Sequence, residues 1–251
     1  MLRRPSDAAL WQASPVKNQY VGDQNDFAKY KLLRSCATVF EEIVIAWMLT
    51  ADDGLSDGSK IGYLARAAWR DSDPELFDGL AALIRADQRN VAAVEAAGLL
   101  PRCSFTAEPV PLNAAERVQY FSSIAARTGK GSLIFFDPDN GLEVASVPKH
   151  RRGAEKYLFL DELEPFKAIE SSLLIYQHFP HVPRPTYLET VLERLKFTLG
   201  DGYVTFAAHT SNVAFLFAVR EPFAEPLRKV VSDRCATSPA LFFFPEAPEG
   251  S

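Results

Sequence analysis

Residues 132–136 (SLIFF) run straight into Asp137-Pro138-Asp139-Asn140-Gly141 with no polar spacer. A carboxylate at the tip of an apolar strand is costly unless it is solvated, paired or bound to something. Pro138, Asn140 and Gly141 are ordinary turn formers, but a turn does not explain why Asp137 follows the apolar run directly. Asp137, with Asp139 and Asn140 beside it, is therefore the candidate catalytic group. A second polar cluster lies at residues 20–30 (YVGDQNDFAKY), where Asp23 or Asn25 can cap a helix. Capping uses one such residue, which leaves Asp23, Asp26 and Lys29 as candidates for binding substrate or cofactor. A third lies at residues 50–60 (TADDGLSDGSK). Its glycines, Gly54 and Gly58, let backbone approach a ligand closely, whereas Asp52, Asp53 and Asp57 repel phosphate. With no Walker or GxGxxG pattern, this loop suits an uncharged or cationic ligand, and Thr50 and Gly54 are its candidate contacts. A solvated Gly/Asp loop explains it about as well.

A basic stretch follows. Lys149, His150, Arg151, Arg152 and Lys156 fall within eight residues, against the single acid Glu155. Lys149, Arg151 and Arg152 are candidates for meeting substrate phosphates; an ordinary solvated loop explains them equally well. Tyr176, His178 and His181 surround the end of another apolar run. His178 is a candidate for substrate binding or proton transfer. The His178–His181 spacing has no acidic partner placed by the sequence, so no metal site is expected.

These segments need strands to carry them. Residues 43–49 (IVIAWML), 103–107, 132–136 and 173–178 read as strands, the first as a buried one. Residues 203–208 and 213–219 read as a closing strand pair joined by a polar turn at 209–212. Apolar periodicity predicts helices over 26–40, 61–69, 74–86 (capped by Asp73), 90–97, 114–127 and 186–199. Strands alternating with helices predict a parallel sheet with ligands beyond its carboxyl ends. The expected fold is a single α/β domain with helices on both faces, residues 1–40 forming an N-terminal helical extension that contributes to the site.

The whole chain agrees. It has 251 residues, 47% hydrophobic and 24% charged, with a net charge of −5, which excludes a disordered chain. Gly (13) and Pro (17) are scattered without a period, which excludes collagen-like and low-complexity classes. Cys36, Cys103 and Cys235 make neither a disulfide framework nor a CxxC zinc site. Mild acidity argues against an obligate charge-driven nucleic-acid binder, though not against a local basic patch. With no apolar core of signal-peptide length and no run long enough to span a bilayer, a cytoplasmic protein with no membrane partner is expected.

Three of these segments, in this order, resemble the bacterial 23S ribosomal RNA (adenine-N6) methyltransferases of the J type. The Gly-x3-Asp-x2-Lys-His motif of that family is similar to Gly22, Asp26 and Lys29, with Tyr30 in place of His. TADDGLSDGSKIGYL is loosely similar to its S-adenosylmethionine loop, and Phe105-Thr106-Ala107-Glu108-Pro109 to its Glu-Leu-His-Pro strand end. Asp137-Pro138 matches the first half of its Asp-Pro-Pro-Tyr-Glu. The likeness covers roughly residues 20–145. The chain is closer still to an uncharacterised bacterial family with YVGDxxDFxKYxLLR and FFDPDNGLE motifs.

The resemblance implies a Rossmann-like, class I methyltransferase-type sheet with S-adenosylmethionine as cofactor and a nucleic-acid base amine, RNA or DNA, as acceptor. It implies that Glu108 accepts the ribose hydroxyls, and that Asp137 orients the acceptor amine while contributing to the cofactor site. Lys29 would hold cofactor or substrate from the N-terminal helix. Asp139 and Asn140 cannot stack on a base as the family's Pro-Tyr does, and Tyr157, Phe159 and Phe179 are the candidate replacements. Two alternatives start from the same residues. Asp137-x-Asp139 after SLIFF also resembles the first motif of haloacid-dehalogenase-type phosphatases, which implies a magnesium-dependent hydrolase, phosphatase or nuclease in type. The other is a catalytically degenerate methyltransferase fold that binds a nucleotide-like ligand or a partner chain.

Overall fold

The computed structural model of the chain describes residues 21–50 and 60–244. The strands are β1 (Ile43–Ala46), β2 (Cys103–Thr106), β3 (Leu133–Phe136), β4 (Gly141–Leu142), β5 (Tyr157–Leu158), β6 (Ser172–His178), β7 (Tyr203–His209), β8 (Val213–Arg220) and β9 (Phe242–Phe244). The helices are α1 (Gln24–Cys36), α2 (Ala67–Ser72), α3 (Pro74–Arg85), α4 (Val91–Ala96), α5 (Ala114–Ala126), α6 (Glu164–Ala168), α7 (Arg184–Leu199) and α8 (Glu221–Ala236). Seven strands form one mixed sheet in the order β2-β1-β3-β6-β8-β7-β9. β2, β1, β3 and β6 run parallel; β8 is antiparallel to both β6 and β7. β4 and β5 pair with each other in a short separate ribbon.

β1 and β3 have a strand on either side and a packed layer on either face, so every residue of IVIA and LIFF is buried. Alternation splits their side chains. Ile43, Ile45, Leu133 and Phe135 join α1, α3 and α8 in one core layer. Val44, Ala46, Ile134 and Phe136 join α5, α6 and α7 in the other. The expected α/β sheet with helices on both faces is therefore present, and α1 packs directly on the sheet beside α3 and α8.

Two segments differ from the apolar periodicity. The helix expected over 61–69 is two pieces, a single 3-10 turn (Gly62–Ala65) and α2, separated by an extended Arg66. Tyr63 enforces the break: its ring packs on Phe27 and Phe77, and its hydroxyl donates to the Gly22 carbonyl at 3.0 Å. α8 and β9 lie beyond the last expected element. Pro222 and Pro226 disguise α8 in the sequence; Pro222 occupies the first turn, where an N–H has no intrahelical partner to lose. The expected closing strand pair is present as β7 and β8, and its second strand lies beside β6.

The segment between β3 and β6 leaves the sheet and is pinned from below. The Arg117 guanidinium, fully buried on α5, donates Nε to Glu162 Oε1 at 2.7 Å and Nη2 to Glu162 Oε2 at 2.9 Å. Nη2 also reaches the Tyr157 carbonyl at 2.9 Å. This fork holds the basic stretch and β5 in place next to the Asp137 turn. Among the described residues, no helix is long and apolar enough to cross a membrane.

Candidate active site

The direction of winding reverses between β1 and β3: β1 leads to β2 on one side, and the chain then crosses to β3 on the other. Such a switch point opens a crevice at the carboxyl ends of the strands. A cavity of about 550 Å³ lies there, walled by the ends of β1, β3 and β6 and by the start of α1.

Asp23 starts α1. It is extended, and its carboxylate accepts the N–H groups of Asn25 and Asp26 at 2.7 and 2.9 Å. Asp26 Oδ2 accepts the Gly22 N–H at 2.8 Å, which leaves Oδ1 to meet Lys29 Nζ at 2.7 Å. The same ammonium donates to Asp137 Oδ2 at 2.7 Å. Lys29 is only 6% exposed. The rings of Tyr30, Trp47 and Tyr176 surround Nζ at 5.3, 5.6 and 5.4 Å from their centroids.

On the other side, β3 delivers Asp137 next to β1, its N–H donating to the Ala46 carbonyl at 3.0 Å. The turn that follows is fixed by Gln177 of β6. Gln177 Oε1 accepts the Leu142 N–H at 2.8 Å, and Nε2 donates to the Asn140 carbonyl at 3.2 Å. Gly141 has φ +113°, and a Cβ there would overlap the Gln177 carboxamide, so the position requires glycine. Thr50 donates to Asp139 Oδ2 at 2.9 Å and joins the end of β1 to the turn. Met48, between Trp47 and Thr50, has φ +47°, a left-handed conformation rare for a non-glycine residue.

Burial sets the electrostatics. It pushes the Asp137 carboxyl up to about 6, against the pull of Lys29 and with help from Asp26 and Asp139. It likewise pushes Asp23 to about 6, reinforced by Asp26. For Lys29, burial alone would favour the neutral amine, but Asp137 and Asp26 together outweigh it and hold the ammonium protonated well above the ordinary lysine range. Burial lowers His178, which keeps that imidazole neutral near pH 7 although Asp139 pulls the other way.

The structure brings together Asp23, Asp26, Lys29, Thr50, Asp137, Asp139, Asn140 and His178, all lining the one cavity. Others lie elsewhere. Glu108 is outside it and faces Arg127 at 3.4 Å. Beyond β2 the chain runs on alongside Leu49, with the Val110 N–H on the Leu49 carbonyl, and Glu108 is left on the α5 side. Lys149 is drawn to Asp161 and Glu162 at 2.7 and 3.1 Å. Arg151 and Arg152 sit on an exposed turn outside the cavity; Lys156 is the member of the basic stretch that lines it. Gly54 lies outside the described residues. The proposed stacking replacements also lie elsewhere: Phe159 packs under Arg117, and Phe179 against Tyr187 and His209. Tyr157 belongs to β5 and does not line the cavity.

Tyr30 and Tyr176, both near segments singled out in the sequence, supply aromatic wall together with Trp47, which no motif marked. Trp47 is placed by stacking on Phe105 and by its Nε1 donating to Glu95 at 2.7 Å. The alternation of IVIAW carries the one available sequence signal, since Trp47 shares a face with Ile43 and Ile45. The two aspartates of the hydrolase reading are each engaged, Asp137 by Lys29 and Asp139 by Thr50. Among the described residues, no group of three or more His, Cys, Asp or Glu is arranged to hold a metal ion. No protein-family model, curated protein or solved structure matches the chain.

Proposed function

We propose that the chain is an S-adenosylmethionine-dependent methyltransferase on a Rossmann-like, class I methyltransferase-type sheet, with an exocyclic amine of an RNA or DNA base as acceptor. The observation that carries this reading is the placement of Asp137. It ends a buried central strand at the switch point, within a cavity of about 550 Å³ that has aromatic walls. Nucleoside-type ligands bind at such positions.

The donor set fits a cationic nucleoside. Asp23, Asp26, Asp137 and Asp139 tolerate a sulfonium, Trp47 and Tyr176 contribute apolar wall beside the Lys29 ammonium, and Thr50 and Asp139 offer hydroxyl partners in place of Glu108. When bound, the cofactor supplies a methyl group activated by positively charged sulfur. Asp137 does the rest of the chemistry. Its Oδ2 is committed to Lys29, so Oδ1 accepts the N–H of the acceptor amine and turns the nitrogen lone pair toward the methyl group. A carboxyl that titrates near 6 is ionised at neutral pH and can take the proton the amine releases. An acceptor base in a duplex must leave the stack to reach this depth.

The test is ligand-dependent melting of the purified protein. S-adenosylhomocysteine at about 100 times its Kd is expected to add about 2.7 kcal/mol of stability, seen as a rise in melting temperature. Asp137→Ala should abolish methyl transfer while the circular dichroism spectrum is retained. No shift with either S-adenosylmethionine or S-adenosylhomocysteine would overturn the reading. A shift with magnesium plus a phosphate mimic instead would favour the hydrolase.

A further inference from the structure

We infer that Lys29 is a built-in counter-ion, a positioning residue whose ammonium fills a cation box made by Tyr30, Trp47, Tyr176, Asp26 and Asp137 and thereby holds the Asp137 carboxylate ionised and in place. The inference rests on the proposed function only for the role of Asp137. Its geometric basis is independent of any ligand. Nζ has a carboxylate oxygen at 2.7 Å from Asp26 and another at 2.7 Å from Asp137, on opposite segments of the chain. Three aromatic rings present themselves to it at 5.3–5.6 Å. Rings and carboxylates together form the type of enclosure that binds free ammonium ligands, and in this protein a side chain of α1 occupies it.

Two consequences follow from the charge arithmetic. Without Lys29, Asp26 and Asp137 are two buried carboxylates sharing one space, and like charges there suppress each other's ionisation. The Lys29 tether also spans from α1 to the turn after β3, so the pair locks the wall of the cavity to its reactive group. The box is thus a site for a compact primary ammonium. A lysine supplied in cis holds it at high effective concentration.

Lys29→Ala removes the occupant but leaves the box, which allows chemical complementation. Melting of wild type, Lys29→Ala and Lys29→Ala/Asp137→Asn is followed at neutral pH with tens of millimolar n-propylammonium chloride, against sodium chloride and tetramethylammonium chloride at equal ionic strength. Lys29→Ala is expected to melt several degrees below wild type and to regain at least half of that loss with propylammonium alone. Wild type should not respond, and the double variant should respond less than the single one. Equal recovery with sodium or tetramethylammonium, or a Lys29→Ala protein as stable as wild type, overturns the inference. If Lys29→Ala does not fold, the double variant decides: folding recovered by removing the partner charge supports the counter-ion role, and continued failure overturns it. The measurement needs no methyl donor, so it stands or falls separately from cofactor binding.

Discussion

Asp137 combines two properties that rarely coexist in one carboxylate: it is held by an ammonium, and it titrates near neutrality. Burial pushes it to about 6 in spite of Lys29, so the ionised form that the proposed methyl transfer requires is lost as pH falls through that value. The rate of methyl transfer is therefore expected to rise with pH through about 6 and then level off, read from a kcat/KM profile. Asp137→Asn should lower the rate about 10²–10⁴-fold and abolish the inflection. The stability consequence has the opposite sign from that of an ordinary ion-paired aspartate. Because the folded value lies above the unfolded 3.8, this group favours folding fully below 3.8, and the contribution disappears as pH rises through about 6. A plot of unfolding free energy against pH should lose that component in Asp137→Asn.

At the scale of elements, the turn after β3 is held by β6 and not by its own hydrogen bonds alone. Gln177 replaces a missing strand partner, accepting from Leu142 N–H and donating to Asn140 and His178 carbonyls. Gln177→Leu strips the Leu142 N–H and the His178 carbonyl of their side-chain partner, while the Asn140 carbonyl keeps the His178 N–H, and is expected to cost about 1–3 kcal/mol in chemical denaturation. Gly141→Ala introduces a side chain both at φ +113° and into the Gln177 carboxamide, with an expected cost of about 1–3 kcal/mol. Both variants should also weaken ligand binding, measured by calorimetry, because Asp139 and Asn140 move with the turn. Gln177 lies in a predicted strand next to a predicted turn, yet nothing in LLIYQH signals that its side chain bridges the two.

At the scale of the whole molecule, the excursion between β3 and β6 hangs on one buried ion pair. Arg117 and Glu162 exchange two hydrogen bonds with almost no solvent access, their side chains being 0% and 3% exposed. Removing one partner leaves the other charged and buried. Glu162→Ala is therefore expected to lose about 3–5 kcal/mol in urea or guanidinium unfolding. Arg117→Met/Glu162→Leu, which removes both charges, should recover most of that loss. Asp161, together with Glu162 of this pair, holds Lys149 away from the cavity, so the basic stretch contributes Lys156 to the site and Arg151 and Arg152 only to the neighbouring surface.

The local code of the chain determined what short-range physics controls. Unbroken apolar runs located β1, β3 and β6, since strands buried on both faces admit little else. Asp73 announced one helix start through capping, and Asp23 or Asn25 another, of which Asp23 is the cap. Asp137 stood out because a carboxylate has no business at the end of such a run without a partner. Everything that depends on which distant segments meet was decided by the tertiary structure. The partner of Asp137 is a lysine 108 residues earlier in the chain. Glu108 lies outside the cavity because the chain beyond β2 follows Leu49, and the hairpin enters the sheet by its second strand. Periodicity reports which face of an element is buried. It carries no record of what that face, or the end of the strand, is buried against.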